Sequence, residues 1–371
     1  MMLNKKSFIS GELYSSSFAG HSSSGSVSPV SPVNFPGSAG KIRLANRIVT
    51  ASSVVGACAL SLLLVLLFTR SPSLYIVEKR VPSITATQNM PILKVESTNE
   101  LLEKLQNSKL WDIDETAPVP PVLFGNLPED MKKLDVATKK KAFINTMLPI
   151  SLIALNEVEQ EKLALQSIVA KLNNSDDNLI FDDETVWPRE ISDDEIEILE
   201  HLSRKYRTTS KEVLLSRIDV LPVSLILAQG AIESSWGSSR FCREGNNLFG
   251  IWTWGERGIT PNEREEGASH KVAVYESLLE SVRAYLLMLN RLPAYADLRD
   301  MRSRTGSSID LADGLLYYSQ RRNSYINDLK QVIVSNKLQK FDTMALSAEF
   351  DTDTTEAMRL VQLHVAKNAK M

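Results

Sequence analysis

The sequence is poor in cysteine and histidine. Its 371 residues include two cysteines, Cys58 and Cys242, and four widely separated histidines. Two cysteines cannot build a disulfide-stapled scaffold or a cysteine-based zinc site, and scattered histidines provide no cluster that would hold a metal ion. The sequence therefore predicts neither a metal nor another cofactor.

A large excess of charge of one sign is also lacking. The 42 basic and 45 acidic residues give a formal net charge of −3, which offers no support for nucleic-acid binding. Hydrophobic residues make up 43% and charged residues 23% of the chain, an ordinary balance for a globular protein. This balance allows a sizeable core and excludes a fibrous or wholly disordered chain.

One long run contains no charge at all. Residues 48–68, IVTASSVVGACALSLLLVLLF, are 21 uncharged residues, enough to cross a bilayer as a helix. No A-x-A-like cleavage site follows the run, which favours an anchor over a signal peptide. Basic residues dominate before it, so the N-terminus should stay in the cytoplasm and the rest should lie outside; they are Lys5, Lys6, Lys41, Arg43 and Arg47.

Changes of composition divide the rest of the chain. Residues 1–47 contain a stretch rich in Ser, Gly and Pro that is typical of a disordered leader, and residues 69–96 are expected to form a linker. Residues 97–190 predict an α-helical region and residues 191–340 a second domain. Residues 341–371 are expected to form a tail.

Several helices are indicated by their caps and apolar spacing. Helix starts are predicted at Ser97, at Ser192 in the cap-like SDDE, and at a Thr or Ser within 208–210. Apolar residues at three- and four-residue spacing predict a long helix over 130–172. Pro149 should kink or restart that helix.

One glutamate lies where a helix is expected to end. The helix should begin at Pro222 and end by Gly237, which places Glu233 in its last turn. The negative end of the helix dipole and the neighbouring Trp236 both favour the protonated carboxyl. A carboxylic acid that is still protonated near neutral pH can give its proton to a leaving-group oxygen, as glycosidic cleavage requires. The alternative is a structural or solvated glutamate.

The sequence around Glu233 resembles a known family. AQGAIESSWGSSRF followed by GNNLFGIW resembles the glucosaminidase-domain family of peptidoglycan hydrolases, which includes flagellar muramidase-like hydrolases and autolysins. HKVAVYESLLESVRAYLLML, NRLPAYADLR and GLLYYSQRRNSYINDLKQVI agree in order and spacing. The Bax-like group of Gram-negative bacteria is the most similar, and the upstream VPPVLFGNLPEDMKKL also resembles it. The resemblance covers roughly residues 97–340.

The resemblance implies a fold and a set of site residues. The fold would be mainly α, an α+β lysozyme-like domain with a small β-hairpin lobe and a groove between its lobes. Glu233 would be the general acid, and the NNLFGI motif would start the groove wall. Core packing is the alternative for Phe249 and Trp252. The candidate substrate-binding residues are Asn246, Asn247, Phe249, Gly250, Trp252 and Trp236.

A second carboxylate is expected from the hairpin that precedes VAVY. If this base activates a water molecule, it should lie roughly 6.5–9.5 Å from Glu233, as in inverting enzymes, because the water needs room between the two carboxyl groups. Assistance by the substrate acetamide is the alternative and needs no protein nucleophile. Tyr318 matches the aromatic residue that relatives place opposite the acid, where a phenol could stabilise positive charge. The candidate bases are Glu265, Glu266 and Glu263, with Glu256 as an outsider.

The resemblance implies an endo-β-N-acetylglucosaminidase, and the uncharged run at residues 48–68 adds a membrane anchor. It would be held in the bacterial inner membrane by residues 48–68 and would act in the periplasm on the glycan strands of peptidoglycan. A lytic transglycosylase and a non-catalytic peptidoglycan-binding envelope protein are the alternatives. The upstream helical region is a candidate for gating the groove or binding a protein partner.

Overall fold

The computed structural model describes residues 90–172, 177–182, 185–262 and 269–347. The leader, the predicted anchor at 48–68 and most of the predicted tail lie outside these residues. Within the described ranges, no helix is both long enough and apolar enough to cross a membrane.

The described part of the chain is mainly helical with a small antiparallel hairpin, as predicted, and it also contains a short parallel strand pair that was not predicted. Strands β1 and β2 pair in parallel, with Ile92 opposite Leu123, and β3 and β4 form an antiparallel hairpin, with Trp252 opposite Val272. The strands are β1 (Ile92–Leu93), β2 (Leu123–Phe124), β3 (Trp252–Thr253) and β4 (Lys271–Val272). The α-helices are α1 (Thr98–Asn107), α2 (Val136–Val169), α3 (Asp193–Tyr206), α4 (Lys211–Arg217), α5 (Val223–Ser234), α6 (Arg240–Gly245), α7 (Leu278–Arg291), α8 (Ala296–Arg302), α9 (Ser308–Leu311) and α10 (Asn323–Ser335). Short 3-10 helices cover Glu129–Lys133, Pro293–Tyr295, Ala312–Leu315 and Leu338–Phe341.

Serine side chains start several of these helices at the predicted places. Ser97 caps α1, Ser210 caps α4, and Ser192 forms a complete capping box with Glu195 at the start of α3. Each serine oxygen accepts a backbone N–H that has no partner within the first helical turn. The predicted helix starts at these positions are therefore confirmed.

Helix α2 forms the centre of the fold. Asp135 caps it by accepting the N–H groups of Ala137 and Thr138, and residues 142–155 are buried without interruption. A helix that is buried on all sides belongs to a core rather than to a surface. The helix continues through Pro149 as one element, so the predicted alternative of a restart there is wrong. The packing of this helix on every side offsets the loss of the one backbone hydrogen bond that proline cannot donate.

The upstream helical region and the following domain share one hydrophobic core. Helix α2 packs against both α5 and α7. Arg283 of α7 donates from Nε to the carboxylate of the buried Glu157 on α2 at 2.7 Å. The hydroxyl of Tyr206 on α3 donates to the buried Glu161 on α2 at 2.7 Å. The predicted boundary between residues 97–190 and residues 191–340 falls within this shared core. The division into these two regions stays a prediction.

Candidate active site

Glu233 lies near the end of a buried helix. Pro222 precedes the first residue of α5, and the helix ends at Ser234, close to the predicted limits. Glu233 is half-buried, whereas residues 223–231 of the same helix are fully buried. Ser235, Trp236 and Gly237 then have φ values of 51°, 58° and 80°, so the chain turns sharply away from the helix. The carboxyl is thus held at a fixed place between a rigid helix and a tight turn.

Four buried tyrosines lie near Glu233. Tyr285 comes from α7, Tyr295 from the following 3-10 helix, Tyr325 from α10, and Tyr318 from the segment before α10. The rings of Tyr318 and Tyr325 are stacked, with centroids 5.7 Å apart. Burial, and to a smaller extent the negative charge of Glu233, raises the pKa of each phenol. All four hydroxyls therefore stay protonated at neutral pH.

The hydroxyl of Tyr325 forms a hydrogen bond with the carboxyl of Glu233. The same hydroxyl accepts a hydrogen bond from Nε2 of Gln229 at 3.0 Å. Oε1 of Gln229 in turn accepts a hydrogen bond from the hydroxyl of Tyr285. None of these three partners was predicted from the sequence. The available signal was Gln229 itself, a polar residue one helical turn before Glu233 in a mostly apolar helix.

Tyr318 belongs to the same cluster, but its hydroxyl points elsewhere. The hydroxyl donates to the backbone carbonyl of Phe249 at 3.0 Å, and the side chain is buried. Phe249 is itself fully buried, and its ring stacks on Tyr285 with centroids 4.0 Å apart. The phenylalanine of the NNLFGI motif thus lies behind the carboxyl rather than on an open surface.

The two asparagines of the motif hold the loop in place. Nδ2 of Asn247 donates to the carbonyls of Ile251 and Ala273 at 2.9 and 2.8 Å, and its Oδ1 accepts the N–H of Ile251 at 3.0 Å. Asn246 has a φ of 50°, and its Nδ2 donates to the carbonyl of Tyr275 at 3.2 Å. Both side chains therefore fasten the loop to the segment that follows β4.

The hairpin begins immediately after this loop. Gly250 has a φ of 62°, a backbone conformation that residues with a Cβ adopt at a cost. Trp252 on β3 is half-buried, and its indole stacks on the imidazole of His270 with centroids 3.8 Å apart. The stacked pair forms a flat aromatic face on the small lobe.

The turn after α5 packs against the upstream part of the chain. The ring of Trp236 lies edge-on to Phe143 of α2, with centroids 5.8 Å apart, and the Lys140 ammonium is 4.8 Å from the centroid of the Trp236 ring system. A Cβ added to Gly237 would lie 2.5 Å from Cδ1 of Leu127. Residues upstream of the glutamate motif therefore help to position it.

Gly237→Ala is expected to lower the free energy of unfolding by about 2–4 kcal/mol. The new Cβ would collide with Leu127, and the φ of 80° is strained for any residue with a side chain. Urea-induced unfolding followed by circular dichroism measures the change. Gly306→Ala is the matched control, because a Cβ there has no neighbour within 4 Å and should change stability by less than about 0.5 kcal/mol. Equal effects of the two substitutions would contradict the packing described for this turn.

The candidate second carboxylates lie between β3 and β4 in the sequence. Asn262, the last described residue before the three main candidates, is tied to α6, because the Arg240 guanidinium donates to its Oδ1. Glu256 is exposed, and its backbone carbonyl accepts from Nζ of Lys271 at 2.6 Å. The three main candidates themselves, Glu263, Glu265 and Glu266, lie outside the described residues.

Comparisons with known proteins agree with the motif. Residues 210–338 match the family model "Glucosaminidase: Mannosyl-glycoprotein endo-beta-N-acetylglucosaminidase". The chain is 33% identical to Protein bax of Escherichia coli (strain K12) over 130 residues, which cover 33% of this chain and 46% of that protein. It is 32% identical to Peptidoglycan hydrolase FlgJ of Escherichia coli O157:H7 over 154 residues, which cover 37% of this chain and 49% of that protein. The chain spans about half the length of these curated relatives.

Among solved structures, the chain is similar to the catalytic domain of the autolysin Auto from Listeria monocytogenes. The sequence identity is 21% and the TM-score 0.28, and the match covers 49% of this chain and 87% of that one.

Proposed function

We propose that this chain, whose residues 210–338 are a glucosaminidase domain homologous to Protein bax and FlgJ, is a peptidoglycan hydrolase. In detail, it is an endo-β-N-acetylglucosaminidase that breaks the bond following N-acetylglucosamine in the glycan strands, with Glu233 as general acid. The observation that carries the proposal is the setting of Glu233. Its half-buried carboxyl lies at the end of a rigid helix, next to a hydroxyl that can stabilise it.

The reaction begins with proton transfer from Glu233. The carboxyl gives its proton to the glycosidic oxygen while the bond from that oxygen to the anomeric carbon breaks. The carboxylate that remains accepts the hydrogen bond of Tyr325, which is worth more to an ionised than to a neutral partner. Tyr325 is itself buried, so its hydroxyl gives this hydrogen bond in surroundings of low dielectric constant, which strengthens it. The arrangement therefore favours the transition state over the resting state.

The second step requires a water molecule at the anomeric carbon. We assign the removal of its proton to one of the hairpin glutamates, Glu265, Glu266 or Glu263. The hydrogen bond between Arg240 and Asn262 supports this assignment, because Asn262 directly precedes Glu263 in the sequence and is tied to the helix that follows the Glu233 turn. Attack by the substrate acetamide is the alternative for this step. The role of Tyr318 at the anomeric carbon stays a prediction, with its hydroxyl engaged by Phe249.

The products of the reaction test the proposal. The full chain, purified in detergent, is incubated with purified sacculi, and soluble fragments are analysed by mass spectrometry. We expect fragments with reducing-end N-acetylglucosamine from the native chain and from Glu103→Gln, an exposed matched control on α1, and none from Glu233→Gln. Anhydromuramyl ends would instead indicate a lytic transglycosylase. Binding to sacculi without any product would indicate a non-catalytic envelope protein.

We also propose that residues 48–68 anchor the chain in the inner membrane, with the catalytic domain in the periplasm. The support is in the sequence: 21 uncharged residues follow a basic segment. The full chain should stay in the membrane pellet after alkaline carbonate extraction, and protease added to spheroplasts should digest its catalytic domain. Deleting residues 48–68 should release the protein into the soluble fraction, whereas deleting residues 8–28, a segment of equal length, should not. Extraction of the intact chain by carbonate would contradict the anchor.

A further inference from the structure

A line of hydrogen bonds leads away from the carboxyl of Glu233 into the core. Tyr325 links Glu233 to Gln229, and Gln229 links Tyr325 to Tyr285. Gln229 is fully buried, as are the two tyrosines, so no solvent molecule competes for these bonds. Both ends of the Gln229 amide are used, one as an acceptor and the other as a donor.

The direction of these bonds follows from the charge at one end. An ionised Glu233 only accepts hydrogen bonds, so Tyr325 must give its single proton to the carboxylate. The oxygen of Tyr325 then needs a donor, which Nε2 of Gln229 provides at 3.0 Å. Oε1 of Gln229 remains to accept the proton of Tyr285. An amide suits this position because it accepts on one side and donates on the other.

We propose that Gln229 is a positioning residue, which turns the hydroxyl of Tyr325 so that its proton points at Glu233. The proposal rests on the proposed function, because it assigns Gln229 a role in stabilising the carboxylate that the acid becomes. Gln229 is fully buried and one helical turn from Glu233, so it acts through Tyr325 and not on the substrate.

Other groups near Glu233 complete its surroundings. The side chains of Tyr285, Tyr295 and Tyr318 lie near it on α7, the adjoining 3-10 helix and the segment before α10. The hydroxyl of Tyr285 donates to Gln229 and that of Tyr318 to the carbonyl of Phe249. Lys140 of α2 lies over the ring of Trp236, three residues further along the chain. Of the four phenols, Tyr325 is the one with a hydrogen bond to both Gln229 and Glu233.

The test compares Gln229→Met with Tyr325→Phe and with the double variant, in the full chain. Methionine keeps the length of the side chain but cannot donate to Tyr325, so the hydroxyl loses its fixed direction. We expect Tyr325→Phe to lower kcat about 10- to 100-fold with little change in KM, because a hydrogen bond to a charged group is lost. Gln229→Met should lower kcat in the same direction, also with little change in KM.

The double variant separates positioning from a general loss of packing. If Gln229 acts through Tyr325, Gln229→Met should cost nothing further in the Tyr325→Phe background. Additive losses would overturn the proposal. Gln229→Met combined with Tyr285→Phe removes the hydroxyl left without an acceptor, so it should fold as the native chain does and still show the lowered kcat. A native kcat in that well-folded variant would also overturn the proposal.

Two controls make the possible failures distinguishable. Gln106→Met changes an exposed glutamine on α1 and should leave kcat and KM as they are. Glu233→Gln is measured in the same assay. If it retains activity, the proposed function fails; if it is inactive while Gln229→Met matches the native chain, only the positioning role fails.

Discussion

Glu233→Gln is expected to lower kcat by about 1,000-fold, because general acid catalysis contributes roughly a hundredfold to ten-thousandfold to such reactions. Glutamine has nearly the same shape as glutamic acid but no proton to give to the glycosidic oxygen. The glutamine amide oxygen can still accept the hydrogen bond from Tyr325 that the carboxyl of Glu233 accepts in the native chain. The site should therefore keep its shape and its affinity for the glycan while the chemical step is lost.

The rate of release of reducing ends from purified glycan strands measures this effect. KM or direct glycan binding should change little, and the free energy of unfolding should stay within about 1 kcal/mol of the native value. Glu103→Gln is the matched control, since it removes one exposed negative charge at a distance from the cluster of phenols. Turnover of Glu233→Gln at the native rate would end the assignment of Glu233 as the acid. A variant that unfolds would show instead that the carboxyl has a structural role.

The position of Glu233 could be predicted because it depends on neighbours in the sequence. Pro222 directly precedes the helix that ends at Ser234, and Gly237 lies in the turn that follows it, so the last turn of the helix could be located by counting residues. The partners of the carboxyl could not be predicted in this way. Gln229 and Tyr325 are 96 residues apart in the chain, and only the packing of α10 against α5 brings them together.

The aromatic residues of the site show a second limit of sequence reasoning. A phenylalanine next to a binding loop can line a groove or fill the core behind it, and the two cases have the same local sequence. In the structure Phe249 is fully buried and stacks on Tyr285, while Trp252 is half-buried and stacks on His270. The contacts that decide between the two cases come from segments far away in the chain.

Residues 210–338, the segment that matches the glucosaminidase family, are expected not to fold when produced alone. Helix α2 lies outside this segment, yet it packs against α5 and α7 and contributes Phe143 to the wall behind Gly230 and Gly237. Each large apolar side chain that loses such cover costs about 1.5–3 kcal/mol. Exposing about six of them would cost as much free energy as a typical domain's whole free energy of unfolding, which is about 5–15 kcal/mol.

Circular dichroism and urea unfolding of two fragments test this expectation. Residues 90–347, which contain the whole shared core, should give a helical spectrum and one cooperative transition. Residues 210–338 should show neither, because the buried faces of α5 and α7 would be left in water and the ion pair between Arg283 and Glu157 would lose its partner. Cooperative unfolding of the shorter fragment would mean that the upstream helices are a separate layer added to a self-sufficient domain. The expected result would mean that they are part of the catalytic unit, since the helix carrying Glu233 is held in place by α2.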